Sequence, residues 1–361
     1  MNLDEIKPAS AEDDAASPGL IRLRDFRPKS VFKVPASDIP KARFPVIDMH
    51  THSWQPDTDI GRWVKRMDEA GVEKSVILSF ETGAAFDAVL DRFSKHKERF
   101  DVWCGFDYTG YDQPGTAWID KSVAELERCW RMGAKGVGEL GDKGLGEFYS
   151  RPVAAYGMHL DDIRMRPLLQ KCGELHMPVS IHVADPIWMY LPMDASNDGL
   201  MNAYTWRIDM NKPGMLDHGQ LIRSFEKIVS GNPDTIFIAC HFANCTHDLE
   251  VVGKMLNQYP NLYTDITSRL EEIAAVPRYA KAFCEKFQDR ILYGTDLGYD
   301  PVMTMEYAAR LYKNTFRLLE SADEHFYDHE LYSYHWPLHG LALTDAVLRK
   351  IYRDNALKII A

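Results

Sequence analysis

Short apolar runs alternate with amphipathic stretches from about residue 46 to the end of the chain. Eight of the runs have the length and apolar content of buried strands: VIDMH (46–50), SVILSF (75–80), VWCGFD (102–107), KGVGEL (135–140), PVSIH (178–182), TIFIACH (235–241), LYTDI (262–266) and RILYG (290–294). Between them, IGRWVKRMDEAGV, TAWIDKSVAELERCWRMGA, LDDIRMRPLLQKCGELHM and HDLEVVGKMLNQYP space apolar residues three and four apart and stop at Gly or Pro, the pattern of amphipathic helices. Strand and helix alternating eight times predicts an α/β fold of the (β/α)8, or TIM, barrel type. The alternative is an open doubly wound sheet. It is disfavoured because no glycine-rich phosphate turn follows the first strand.

Residues 1–44 are rich in Pro, Asp, Ala and Lys and predict an N-terminal arm, which leaves 45–361 as the barrel domain. After the eighth strand the chain passes through a helix and a histidine-rich piece, SADEHFYDHELYSYHWPLHG. It ends in LTDAVLRKIYRDNALKII, where Thr344 can cap a C-terminal helical tail. HELYSYH is not a zinc-binding HExxH helix, because its second histidine falls two residues too late for one helical face. His325, His329, His335 and His339 therefore read as surface or capping residues.

With 361 residues, 45% hydrophobic and 26% charged, the composition is that of a globular protein, and it distinguishes no function. The net charge of −11 does more, since a nucleic-acid binder needs a basic face. The expected partner is a small-molecule substrate. Six cysteines without a CxxC pair imply no disulfide framework. No run of about 18 apolar residues occurs, and the first twenty residues lack the apolar core of a signal peptide, so a cytoplasmic protein without a membrane partner is expected. The arm and the C-terminal aromatics leave a homo-oligomer open.

Chemistry enters with FPVIDMHTHSW, where the first strand ends in two histidines one residue apart. In a regular strand Val46, Asp48, His50 and His52 share one face, with Ile47, Met49 and Thr51 on the other. An isolated HxH is a weak signal. Barrel enzymes, however, carry their chemistry at the C-terminal strand ends, and there the sequence supplies Glu139, His182, His241 and Asp296 as well. Neutral imidazoles and a carboxylate make a site for a divalent metal with a position left for water, zinc first and manganese as an alternative. Such a water ionises near neutral pH. Asp296 can take and return the proton, while His241 orients the water or stabilises negative charge.

DMHTH after strand one, His182 after strand five, His241 after strand six and GTD after strand eight, in that order, resemble the amidohydrolase superfamily. The closest resemblance is to its amidohydrolase-related branch of metal-dependent hydrolases and non-oxidative decarboxylases, over about residues 45–361. IYRDNALKII is similar to that branch's closing helix. The resemblance implies a metal on His50, His52, His182 and Asp296, with His241 near the metal water and Asp296 doubling as proton shuttle. In two-metal members a strand-four lysine or glutamate bridges the ions, and Glu139 stands at that place as a possible ligand. GVGELGDKG is similar to an element of the superfamily's TatD-like nucleases, but GTDLGYD departs from their strand-eight pattern. One metal is the expectation.

The connection after His182, ADPIWMYLPMDASNDGLMNAYTWRIDMNKPGM, is long enough to cover the barrel mouth. Trp188 and Arg207 within it, Arg269 after strand seven, Trp54 after the HxH and Tyr299 are the candidate substrate contacts: aromatics to stack on a ring, arginines to clamp a carboxylate. Three functions follow in order. Hydrolysis of an amide, ester or lactone comes first, since it needs only water, a base and an electrophile. Non-oxidative decarboxylation of a cyclic or aromatic acid comes second and uses nearly the same ligands. A clamping arginine beside an aromatic pocket would favour it. A non-catalytic metal-binding barrel comes third.

Overall fold

The computed structural model describes residues 19–299 and 301–360, so residues 1–18 of the expected arm, Asp300 and Ala361 lie outside it. Among the described residues there are eight parallel strands: β1 (Val46–Thr51), β2 (Val72–Leu78), β3 (Phe100–Trp103), β4 (Val137–Asp142), β5 (Val179–Val183), β6 (Phe237–Ala239), β7 (Leu262–Asp265) and β8 (Ile291–Leu292). They pair in chain order as β1-β2-β3 and β4-β5-β6-β7-β8. Parallel bridges Cys104–Val137 and Thr51–Leu297 join the two groups, with Met49 N donating to Tyr293 O at 2.9 Å and His52 N to Leu297 O at 2.7 Å. These bonds close the barrel.

The helices are α1 (Ile60–Ala70), α2 (Gly83–Phe93), α3 (Ala117–Met132), α4 (Arg166–Glu174), α5 (Leu200–Trp206), α6 (His218–Gly231), α7 (Leu249–Gln258), α8 (Leu270–Ala275), α9 (Pro277–Lys286), α10 (Met305–Glu320), α11 (Asp345–Arg349) and α12 (Asn355–Ile360). Asp59 caps α1 on Arg62 N, and Gly71 ends it in the left-handed region at φ 81°. The 160–177 pattern yields a shorter helix than expected, since Pro167 sits in the first turn of α4. Thr344 caps α11 as expected, and α12 follows it through one π-helical turn, Lys350–Asp354.

Ile47, Met49, Val76, Leu78, Trp103, Ile238 and Leu292 pack inside the barrel, together with Ala356 and Ile359 of α12. Val46 belongs instead to the layer between strands and helices. Residues 19–45 run over the C-terminal segment: Ser37 bonds Asp323 through N and Oγ (2.7 and 2.8 Å), and His329 Nε2 donates to Pro28 O (2.7 Å). The Phe32 ring meets His325 edge-on at 4.8 Å. Half-buried His325 and His329 thus hold the arm. No helix among the described residues is long and apolar enough to cross a membrane.

Candidate metal centre and its cavity

The strand ends converge as the residue pattern predicts, but by a different route at β1. Regular alternation would put His50 and His52 with Asp48, yet Asp48 faces away from the barrel interior, its Oδ2 taking the Thr295 hydroxyl at 2.6 Å beside Tyr293 and Tyr312. A break in the β1–β2 register between Asp48 and Thr51 changes the parity and turns both imidazoles inward. A second break, between Val137 and Leu140 of β4, does the same for Glu139. His182 reaches the mouth on unbroken alternation in β5. β6 and β8 are shorter than their apolar runs because the chain leaves the sheet early, with His241 and Asp296 at φ 60° and 67°. Four consecutive non-glycine residues, His241 to Asn244, take the left-handed conformation, a strain of order 1–3 kcal/mol each. Asp265 Oδ1 holds the start of this turn by taking His241 N–H at 2.8 Å, and Arg269 holds its end through Asn244 Oδ1.

The donor atoms meet at Glu139. Its Oε1 lies 3.0 Å from His182 Nδ1, 3.2 Å from His241 Nε2 and 3.6 Å from His50 Nε2, and its Oε2 is 3.7 Å from His52 Nε2. Asp296 Oδ1 is 3.0 Å from His52 Nε2 and 3.6 Å from His50 Nε2. Each imidazole has its remaining nitrogen tied outward: His50 Nδ1 to Asp265 Oδ2 (3.0 Å), His52 Nδ1 to Leu78 O (3.0 Å), His241 Nδ1 to Thr267 O (2.9 Å) and His182 Nε2 to Asp185 Oδ1 (3.1 Å). Outward N–H bonds leave the inward nitrogens as lone-pair donors. His50 Nε2 is buried without a hydrogen-bond partner. A buried imidazole nitrogen with nothing to bond, among carboxylate oxygens, is what a divalent cation site requires, so the residues fit a metal.

The electrostatics agree with the crowding. Burial alone would raise Glu139, but His50, His182 and His241 outweigh it and hold the carboxyl well below its ordinary range. Burial likewise raises Asp296, and the His52 hydrogen bond with the neighbouring imidazoles brings it below the usual value. Asp185, despite its burial, is drawn down to about 2 by His182 and Lys143. Burial, with His182 beside it, lowers His241 and favours its neutral form.

Above the cluster opens a cavity of about 530 Å³, with His52, Glu139, His182 and Asp296 at its base and Trp54, Phe80, Tyr149 and Trp206 in its walls. Trp54 stacks on His52 with ring centres 4.3 Å apart. Lys143 and Arg151 bring positive charge to the lining, Lys143 from beside Asp185 at 3.1 Å and Arg151 from beside Glu81 at 3.0 Å.

Of the expected substrate contacts, only Trp54 lines this cavity. Trp188 packs against Tyr334 and Trp336 of the C-terminal segment, each at 5.9 Å. Arg207 is exposed over the Tyr204 ring. Arg269 is buried and spent on Asn244, with Glu272 at 3.8 Å. Tyr299 is buried against Trp63 at 4.4 Å. The long connection after β5 does reach the mouth, through Trp206. Asp265, Asp185, Lys143, Tyr149 and Arg151 were not anticipated. A carboxylate closing LYTDI could have marked Asp265, whereas the others sit in aperiodic loops.

The family model described as Amidohydrolase matches residues 47–360. No curated protein sequence matches the chain. Among solved structures, 2,6-dihydroxybenzoate decarboxylase from Rhizobium superposes with a TM-score of 0.52 at 14% identity, over 88% of this chain and 98% of its own. A 5-carboxyvanillate decarboxylase from Novosphingobium aromaticivorans, complexed with manganese and 4-hydroxy-3-methoxy-5-nitrobenzoic acid, gives 0.53 at 13%, over 91% and 99%. An uncharacterised TIM-barrel protein from Bordetella bronchiseptica gives 0.53 at 15%, over 88% and 98%. At these identities the likeness is one of fold. The match across nearly all of the barrel, on a chain whose strand ends converge as a divalent-metal site, makes this protein a member of the amidohydrolase family and a metal-dependent enzyme.

Proposed function

We propose that the protein is a metal-dependent non-oxidative decarboxylase of a planar cyclic or aromatic carboxylic acid. The observation that carries this reading is the cavity: aromatic walls and positive charge directly above the imidazole–carboxylate cluster. Flat walls suit a ring, and cations suit an acid. Neither is needed for a neutral amide, ester or lactone. Two structural neighbours, a 2,6-dihydroxybenzoate decarboxylase and a 5-carboxyvanillate decarboxylase, are in keeping with the reading.

In this proposal His50, His52, His182 and Asp296, with Glu139 among them, hold the divalent metal. The imidazole-rich donor set suits zinc and accepts manganese. Bound there, the cation would supply positive charge to fix and polarise an anionic oxygen of the substrate. Trp54 and Phe80 orient the ring, and the cavity walls exclude bulk water. Asp296, with 29% of its side chain open to the cavity, is ionised at rest; it takes a proton from a solvent water as the substrate binds, the hydroxide returning to solvent, and delivers that proton to the ring carbon that bears the carboxylate. An anion arriving beside Asp296 raises its proton affinity and so prepares it for this role. The bond from that carbon to the carboxylate breaks, its electron pair takes the proton, and CO2 leaves. His241, its Nδ1–H held by Thr267 O and its backbone by Asp265, turns the Nε2 lone pair on the cluster and stabilises positive charge there.

The test is a CO2-release assay on the zinc- or manganese-loaded protein with a panel of hydroxybenzoic and heterocyclic acids, run alongside amides, esters and lactones. CO2 release that a chelator abolishes is the expected result. Chelator-sensitive hydrolysis with no CO2 from any acid would replace this reading by hydrolysis, which uses the same donors.

A further inference from the structure

We infer that Arg151 is a substrate-binding residue for a second anionic group, one that the substrate keeps through the reaction, so that the substrate is a planar acid with two anionic oxygen groups. The inference takes from the decarboxylase reading which group is lost; the subsite itself stands on its own geometry.

Arg151 lies in the excursion between β4 and α4, yet its backbone is built into the barrel rim. Its N–H donates to Phe80 O at 3.1 Å, its carbonyl accepts from Thr82 N at 3.1 Å and Thr82 Oγ1 at 2.8 Å, and Glu81 and Arg151 form a parallel bridge. The side chain is set as firmly. The guanidinium lies over the Phe80 ring at 5.2 Å, and Nη1 donates to Glu81 Oε1 at 3.0 Å. Nε and Nη2 have no partner among the described residues, and 53% of the side chain is open. A guanidinium anchored through one nitrogen and stacked on a cavity wall offers its other edge as a planar fork, which matches a carboxylate or another pair of oxygens.

The other cation of the lining does not compete for this role. Lys143 Nζ is engaged by Asp185 Oδ1 at 3.1 Å and covered by the Trp206 ring at 5.7 Å. Asp185 in turn holds His182, which ties Lys143 to the donor cluster. The floor, with Asp296, takes the group that reacts, and Phe80 and Trp54, 5.6 Å apart, line the wall towards Arg151. A ring lying on that wall with one carboxylate at the floor presents its second acidic group to the free edge of Arg151.

The experiment is titration calorimetry of the manganese-loaded full chain with two probes, benzoate and isophthalate, which differ only in the second carboxylate. A charge-assisted, two-pronged contact predicts isophthalate binding about tenfold or more tighter than benzoate. In Arg151→Gln that ratio falls to about one, and in Arg151→Lys, a point charge without the fork, it is intermediate. Equal affinities in the wild type, an unchanged ratio in Arg151→Gln, or no binding of isophthalate overturns the inference; thermal melts of the variants separate these results from misfolding. The two proposals fail separately. An Arg151-dependent preference for isophthalate without CO2 release from any acid keeps the subsite and discards the lyase. CO2 release from monocarboxylic acids alone, at a rate indifferent to Arg151→Gln, keeps the lyase and discards the subsite.

Discussion

Asp265 holds two of the four convergent histidines at once: its Oδ2 lies 3.0 Å from His50 Nδ1, and its Oδ1 takes the backbone N–H of His241 at 2.8 Å. One carboxylate thereby fixes the tautomer of His50 and the start of the left-handed turn that aims His241. Asp265→Asn keeps the size but loses the charge, and its amide can point an N–H at Nδ1, which disfavours the tautomer that leaves Nε2 free. Loss of such an outer partner costs metal affinity about 10- to 100-fold. Competition with a chelating dye measures it. An affinity within twofold of wild type would show that Asp265 serves folding alone.

Asp296 is the cluster carboxylate most open to the cavity, with 29% of its side chain exposed against 9% for Glu139. Asp296→Asn should lower turnover by at least about 10²-fold, the loss typical of a missing proton donor, while the thermal midpoint stays close to wild type. Elemental mass spectrometry on the same sample reports whether metal is retained. A variant that keeps half the wild-type rate would remove Asp296 from the proton pathway.

The barrel was legible because its signal is redundant: eight apolar runs separated by amphipathic ones survive errors of two or three residues at any boundary. The floor of the site was legible for a related reason, since ligand-type residues at strand ends need only the strand order. Side-chain direction was not. Regular alternation would group His50 with Asp48, and the register breaks that separate them in β1, and that turn Glu139 inward in β4, leave no mark in the apolar pattern. The cavity walls were least legible. Arg269, beside a strand end, is spent on Asn244, whereas Arg151 is placed by a bridge to Glu81 seventy positions away, across a loop without periodicity.

Trp54 owes its position to a missing side chain. A Cβ at Gly298 would fall 1.5 Å from Trp54 Cδ1, so the indole that stacks on His52 occupies the space a side chain would take at Gly298. Gly298→Ala must push the indole into the cavity or move the loop after β8, an overpacking that costs about 1–3 kcal/mol. If Trp54 is the platform for the ring, KM should rise by a few-fold to about tenfold, the worth of one aromatic stack, with a smaller change in kcat. Trp54→Ala, with Gly298 intact, should reproduce the KM effect without the overpacking. A Gly298→Ala enzyme with unchanged KM and stability would mean that the ring has other room.

The excursion that carries Arg151 is tied down by Asp142, whose Oδ1 takes the N–H groups of Gly144 and Gly146 at 3.0 Å each and whose Oδ2 faces His159 Nδ1 at 3.0 Å. The Asp142 hydrogen bond raises His159 above its ordinary value, against a smaller loss from burial. A histidine whose proton affinity is higher in the folded state stabilises that state when protonated. The contribution is therefore fully present below the unfolded value of about 6.5 and is lost as pH rises through the higher folded value. His159→Gln removes it. Denaturant unfolding of wild type and variant across pH 5 to pH 9 should give a difference of about 1 kcal/mol or less at the acid end, shrinking as pH rises. Other titrating groups cancel in that difference. A gap that is flat with pH would mean that His159 contributes by packing alone, and a gap that widens with pH would mean that folding lowers the proton affinity of His159.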